Sequence, residues 1–205
     1  MIISHKYKFI FVKTRKTAGT SMEVTLSKYC GPDDVLTEIN PPEEGHEPRN
    51  FWIDKDAGLK FYNHMPAREI KAQVADETWN SYFKFCYERH PYVKSISLFH
   101  MHRHHFQGDK SGFTFDKWLH PKNVPVDFFM YTDEAGAPMV DQIFRYKSLS
   151  ETFPAICKTL GIPCTGLESH AKSAYEKVPV ELSNANKAYL QQAYAAEFQA
   201  FGFPK

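Results

Sequence analysis

The chain has almost no charge imbalance, since 25 Lys and Arg stand against 24 Asp and Glu in 205 residues. Proteins that coat nucleic acid or an acidic membrane face carry an excess of positive charge, so neither partner is indicated and any positive field must be local. Long hydrophobic runs are missing too. No stretch approaches the ~20 apolar residues of a bilayer-crossing helix. The opening Met1-Ile2-Ile3-Ser4-His5-Lys6 lacks the basic segment, apolar run and small-residue cleavage site of a secretory signal. The expectation is a soluble, cytoplasmic protein with no membrane span. Cysteine is sparse, and Cys30, Cys86, Cys157 and Cys164 show no CxxC spacing. The apolar surroundings of Cys86 and Cys157 suggest buried reduced thiols, with a disulfide between two of the four left open. Repeats and low-complexity tracts are absent, and 15% aromatic content argues for an ordered chain. The length fits one domain over residues 1–205, with or without a small subdomain, and allows a substantial core.

Four segments read as strands: Lys8 to Val12, Lys60 to Asn63, Tyr82 to Tyr87, and Met139 to Tyr146. Helical patterns follow the first three, at about Ser21 to Cys30, Ala67 to Val74, and Tyr92 to roughly His102. This alternation predicts an α/β fold with a central parallel sheet flanked by helices. Further on, Phe153, Ile156, Cys157 and Leu160 form an apolar helical face that closes at Gly161. A last helix carries Leu190, Tyr194, Phe198 and Phe201 and closes at Gly202. Two long excursions, Pro32 to Gly58 with four prolines and Gln107 to Pro125, are candidates to border a site at the carboxyl edge of the sheet and to recognise an acceptor.

The densest chemistry lies in Phe9 to Glu23, where an apolar strand passes through Lys13-Thr14-Arg15-Lys16-Thr17-Ala18-Gly19-Thr20-Ser21 into a helix. Lys16 brings a positive charge, Thr17, Thr20 and Ser21 bring hydroxyls, and the first N–H groups of the helix point outward. A phosphate or sulfate suits such a place. Thr20 with Glu23 three residues on reads as a capping box. In the nucleotide-kinase pattern GxxxxGK[ST] glycine comes before the Lys, whereas here Lys16 precedes Gly19, which disfavours a nucleoside triphosphate. A second cluster follows the third strand, in Glu88-Arg89-His90-Pro91-Tyr92-Val93-Lys94-Ser95-Ile96-Ser97. Pro91 suits the first turn of a helix, and Lys94 and Ser97 fall on one helical face, where they could join Arg89 around a second anion.

With both clusters in view, the chain resembles the sulfotransferases that use 3′-phosphoadenosine 5′-phosphosulfate (PAPS), in particular their carbohydrate-type, heparan/chondroitin sulfotransferase-like branch. The family's Lys-Thr-Ala-Gly-Thr-Ser loop matches Lys16 to Ser21, and its Arg-x-Pro-x-x-basic-x-x-Ser segment matches Arg89, Pro91, Lys94 and Ser97. Asn63-His64-Met65-Pro66-Ala67 resembles the end of the family's second strand, where a His often serves as base. Phe144 to Leu149, with Phe153 and Leu160-Gly161, resembles its later strand and helix. His170-Ala171-Lys172-Ser173 resembles a loop that closes over the nucleotide, and Tyr194 to Phe203 resembles the terminal helix. Two positions depart from the pattern. Arg15 stands where the family usually has Pro, and Lys147 where it usually has Glu.

The resemblance implies a P-loop-like, nucleotide-kinase-like sulfotransferase fold and transfer of a sulfuryl group from PAPS to an acceptor hydroxyl, as on a carbohydrate, with no metal required. It assigns Arg15, Lys16, Thr17, Ala18, Gly19, Thr20 and Ser21 to the 5′-phosphosulfate, Arg89, Lys94 and Ser97 to the 3′-phosphate, and Lys172 to the closing loop. Lys16 would stabilise charge on the transferring and leaving oxygens, and His64 would be the general base. The reaction demands in-line positioning and charge neutralisation, much as phosphoryl transfer does. Two other readings remain, a nucleotide kinase with a variant phosphate loop and a non-catalytic nucleotide-binding scaffold. His100 and His104, one helical turn apart, also raise a metal reading, but no carboxylate or Cys stands at matching spacing and Arg103 lies between them. These His residues are read instead as lining the acceptor side. The identity of the acceptor and the oligomeric state are not legible.

Overall fold

The Ile-Ile-Ser run at the start of the chain forms the first strand, β1 (Ile2–Ser4), which turns back through Lys8 at φ 53° into β2 (Phe9–Phe11). The computed structural model describes residues 1–54, 58–168 and 176–205. The elements continue in chain order as α1 (Gly19–Ser27), β3 (Val35–Leu36), β4 (Trp52–Asp54), β5 (Gly58–Leu59), α2 (Ala67–Gln73), α3 (Asp76–Ser81) and β6 (Phe83–Glu88). There follow α4 (Pro91–His105), α5 (Phe115–Trp118), α6 (Phe128–Tyr131), β7 (Gln142–Arg145), α7 (Leu149–Thr159), α8 (Asn184–Ala193) and α9 (Ala195–Phe201). The chain forms two compact units, Met1–Glu88 with Phe129–Ala171, and Arg89–Phe128 with Lys172–Lys205.

The first unit is α/β. Its five-stranded sheet has the order β3-β1-β2-β6-β7. Parallel pairing covers β2 with β6, which sets Phe11 opposite Phe85, and β6 with β7, which sets Glu88 opposite Arg145. The other two pairings, β1 with β2 and β1 with β3, are antiparallel. The sheet is therefore mixed, which corrects the expectation of a parallel one. The missed strands are short, and the β1–β2 turn carries no Asn-Gly or Asp-Gly signal. The strand expected over Lys60 to Asn63 does not form. The N–H groups of Lys60 and Phe61 both donate to the Phe51 carbonyl, at 2.9 Å each, beyond a separate two-stranded β4–β5 sheet.

Strand burial explains this core. Phe9, Phe11, Phe85 and Tyr87 are fully buried and pack with Met22 and Leu26 of α1 and with Phe153, Ile156 and Cys157 of α7. Burying each such side chain contributes about 1.5–3 kcal/mol. Helix α1 buries eight of its nine residues, so its polar Ser21, Glu23 and Thr25 lie inside as well. Helix α7 ends as its pattern predicts, with Gly161 at φ 70° just past it. All four cysteines are free thiols.

The second unit is helical in its described residues. Helix α4 opens on Pro91, and the ring of His90 accepts from the Tyr92 N–H at 3.3 Å. Leu98 and Phe99 of α4 pack with Phe115, Trp118, Val124, Leu190, Tyr194 and Phe198. The single terminal helix of the sequence reading is two helices, broken at Tyr194 (φ −106°, ψ 29°), and the second closes on Gly202 at φ 56°. No helix among the described residues is long and apolar enough to cross a membrane.

Candidate functional site

At the carboxyl end of β2 the Val12 N–H still donates to the Phe85 carbonyl at 2.9 Å, and then the chain leaves the sheet. Thr14 ties the departing loop down: its hydroxyl donates to the Tyr87 carbonyl at 2.5 Å and lies 2.9 Å from the Thr17 hydroxyl. Thr17 Oγ1 also lies 3.2 Å from the Thr14 carbonyl, and its side chain is fully buried. The Thr17 hydroxyl therefore holds the loop from within.

Lys16 at φ 60° and Ala18 at φ 62° are left-handed without being glycine. Each such residue costs on the order of 1 kcal/mol and persists where the surroundings enforce it, most often at functional sites. With Ala18 in that conformation as the cap, α1 starts at Gly19, and the cap lies two residues earlier than the Thr20 expected. The Thr20–Glu23 capping box does not form. Ala18 supplies no side-chain cap and the first turn holds no acid, so the positive end of the α1 dipole is left without an internal carboxylate.

Glu23 is used elsewhere. Fully buried, it accepts from the Lys13 ammonium and from the Met1 ammonium, which also donates to Thr37 Oγ1 at 2.8 Å. Burial alone would raise its carboxyl, but the Met1 and Lys13 charges together hold it below its usual value. Lys13 is only 3% exposed, and its stem passes so close to the start of α1 that a Cβ on Gly19 would stand 2.6 Å from Lys13 Cγ. Gly19 is thus required by a close approach. One of the three cations in the loop, Lys13, turns inward, while Arg15 and Lys16 are half-buried.

His64 joins this loop from the segment before α2. It too is left-handed, at φ 60°, and its Nδ1 lies 2.9 Å from the Lys13 carbonyl oxygen. A carbonyl only accepts, so Nδ1 carries the proton and the lone pair of the neutral imidazole sits on Nε2. His64 does not stand at a strand end, but the hydrogen bond holds it beside the loop. Buried Met65 and Pro66, the residue before α2, anchor the segment that follows.

The next parallel strand ends in Glu88, 1% exposed, whose Oε2 accepts from the Tyr131 hydroxyl at 2.9 Å. Register places it opposite Arg145, whose pKa burial pushes below its usual value against the opposing pull of Glu88 and Tyr131. Sequence reading passed over both residues. Their signal was a charged residue at the last position of a strand, directly after an aromatic one.

In the second unit Arg89 and Ser97 are half-buried. Lys94 is placed differently from the expectation. It is wholly buried, with Nζ 2.8 Å from Oδ2 of the equally buried Asp127. Its charge faces that carboxylate inside the unit. Lys172 lies outside the described residues. His100 Nε2 donates to the Val178 carbonyl at 3.0 Å, and His102 Nδ1 accepts from Trp118 Nε1 at 2.9 Å. Among the described residues no group of three or more His, Cys, Asp or Glu is arranged to hold a metal ion.

No protein-family model matches the chain, and no solved structure matches it. A protein of Archaeoglobus fulgidus described as uncharacterized is 28% identical over 104 residues, 48% of this chain and 84% of that protein. This likeness assigns no family. What the site can do rests on its own groups: amides at an uncapped helix start, Lys16 with Arg15, and an imidazole held with its lone pair on Nε2.

Proposed function

We propose that the chain is a PAPS-dependent sulfotransferase acting on an acceptor hydroxyl. The observation that carries the reading is the Nδ1 bond from His64 to Lys13, which ties an imidazole base to the same loop that leads into the uncapped start of α1. The match of Lys16 to Ser21 with the family's loop supports it, as does the α/β frame of the first unit. The P-loop-like sulfotransferase fold is part of this reading.

In this mechanism the Gly19, Thr20 and Ser21 amides and the Lys16 ammonium hold the 5′-phosphosulfate. His64 Nε2 takes the proton of the acceptor hydroxyl as its oxygen bonds to sulfur. The bond from sulfur to the phosphate oxygen breaks, and Lys16 neutralises the charge left on that phosphate, giving a sulfate ester and 3′-phosphoadenosine 5′-phosphate. Arg89 and Ser97 are assigned to the 3′-phosphate on the resemblance alone, while Lys94 supports the fold from the interior. The acceptor is a carbohydrate hydroxyl on the same resemblance, and the cytoplasm is the compartment assigned.

A calorimetric titration tests this. Metal-independent binding of 3′-phosphoadenosine 5′-phosphate, well ahead of adenosine 5′-phosphate, is expected. A preference for ATP with magnesium would replace the proposal with a nucleotide kinase. Binding of PAPS without transfer to any acceptor would leave a nucleotide-binding scaffold.

A further inference from the structure

A separate cavity of about 400 Å³ lies within the second unit, bordered by the last turn of α4 and by α5. Phe106 and Phe113 form one wall, their rings 4.9 Å apart and inclined at 42°. Phe106 is 41% exposed, yet it has a defined seat. Its ring lies so close to the backbone that a Cβ on Gly108 would stand 2.7 Å from it. Trp118 is 5% exposed and packs edge-on to Phe99 at 5.7 Å. Because the indole N–H only donates, its 2.9 Å bond to His102 Nδ1 places the proton of the neutral His102 ring on Nε2.

The charge of the lining has one sign. Lys117 is the cation, with Nζ 3.9 Å from where a Cβ on Gly112 would stand, and no carboxylate lines the cavity among the described residues. Other polar side chains in the lining are engaged internally. Asn123 Nδ2 donates to the Trp118 carbonyl at 2.6 Å, and Thr114 Oγ1 accepts from the Lys117 N–H at 3.5 Å. A hydroxyl-rich ring would lose water here without finding a matching partner for each hydroxyl. A flat ring with a single anionic group would instead meet aromatic faces and the Lys117 ammonium.

We propose that this cavity binds a single aromatic ring carrying one carboxylate. The size suits one substituted ring, and the seated Phe106 together with the Trp118–His102 bond means that little side-chain ordering is left for the ligand to impose. The inference does not rest on the sulfuryl-transfer reading, because it uses none of the residues given a role there and requires no nucleotide.

The test is a calorimetric titration of the full chain with benzoate, with benzamide, cyclohexanecarboxylate and glucuronate as comparisons. Saturable one-to-one binding of benzoate is expected, with the neutral amide and the saturated ring each weaker. Lys117→Met, which keeps the aliphatic stem, and Phe106→Ala should each weaken benzoate about tenfold, whereas Lys147→Met in the first unit should leave it unchanged. Circular dichroism confirms that each variant is folded. No saturable binding of benzoate, equal binding of benzamide, stronger binding of glucuronate, or an unchanged affinity in folded Lys117→Met would each overturn the site.

Discussion

His64 and Lys13, 51 residues apart in sequence, are joined by a hydrogen bond of 2.9 Å from the ring Nδ1 to the backbone carbonyl. The bond selects the imidazole tautomer and places it beside the loop that leads into α1. His64→Asn can keep the contact to the carbonyl through its amide but has no base to offer. Sulfuryl transfer should fall by about a hundredfold or more, with the affinity for 3′-phosphoadenosine 5′-phosphate unchanged. Steady-state rates with a calorimetric titration check this. An unaltered rate would remove His64 from the chemistry.

Gly19 should not tolerate a side chain. In Gly19→Ala the new methyl would stand 2.6 Å from Lys13 Cγ, and that stem is pinned by the ion pair to Glu23. Overpacking of this kind costs about 1–3 kcal/mol. Urea denaturation should show the loss, and nucleotide affinity should fall with it because the start of α1 is displaced.

Lys94 and Asp127 form an ion pair with both side chains fully buried. Lys94→Met removes the ammonium that faces a buried carboxylate and should cost about 3–5 kcal/mol. The double variant Lys94→Met with Asp127→Leu should recover most of that stability. It should also retain any preference for a 3′-phosphate, since Lys94 is occupied inside the unit. Denaturation curves and nucleotide titrations on the single and double variants test both statements.

Asp34 predicts an acid-sensitive corner of the first unit. Burial would raise its pKa, but hydrogen bonds from the Ser4 hydroxyl and from the N–H groups of Lys6, Gly31 and His5 outweigh it and hold the value below the ordinary one. The donors lie at 2.8, 3.1, 2.8 and 2.7 Å respectively. With the folded pKa below the unfolded one, the stabilisation is complete above the unfolded value of about 4 and is lost as pH falls through the folded value. Asp34→Asn should therefore lose about 2 kcal/mol at neutral pH, and the gap to the parent chain should narrow below about pH 4. Thermal melts across that range check the sign.

Local signals were the readable part. Pro91 opens α4, Gly161 and Gly202 follow the helices they were expected to end, and the apolar runs at Phe9 and Phe83 became adjacent parallel strands. Each depends on a single residue type or a short period. Lys60 to Asn63 failed because a brief apolar stretch fits a turn as well as a strand, and here its amides are taken by Phe51. The capping box failed because Glu23 has a stronger use in the interior.

By itself the sequence determined the strand–loop–helix at Phe9 to Ser27, its basic and hydroxyl-rich composition, and the α/β class, since these follow from apolar patterning and from the preferences of Gly and Pro. Only the tertiary structure decided which charges face inward. Lys13, Lys16 and Lys94 look equivalent in a sequence, yet Lys13 pairs with Glu23, Lys94 pairs with Asp127, and Lys16 stays half-buried. Burying a charge is tolerable only where a partner waits, and those partners stand 10 and 33 positions away, beyond the reach of any local pattern.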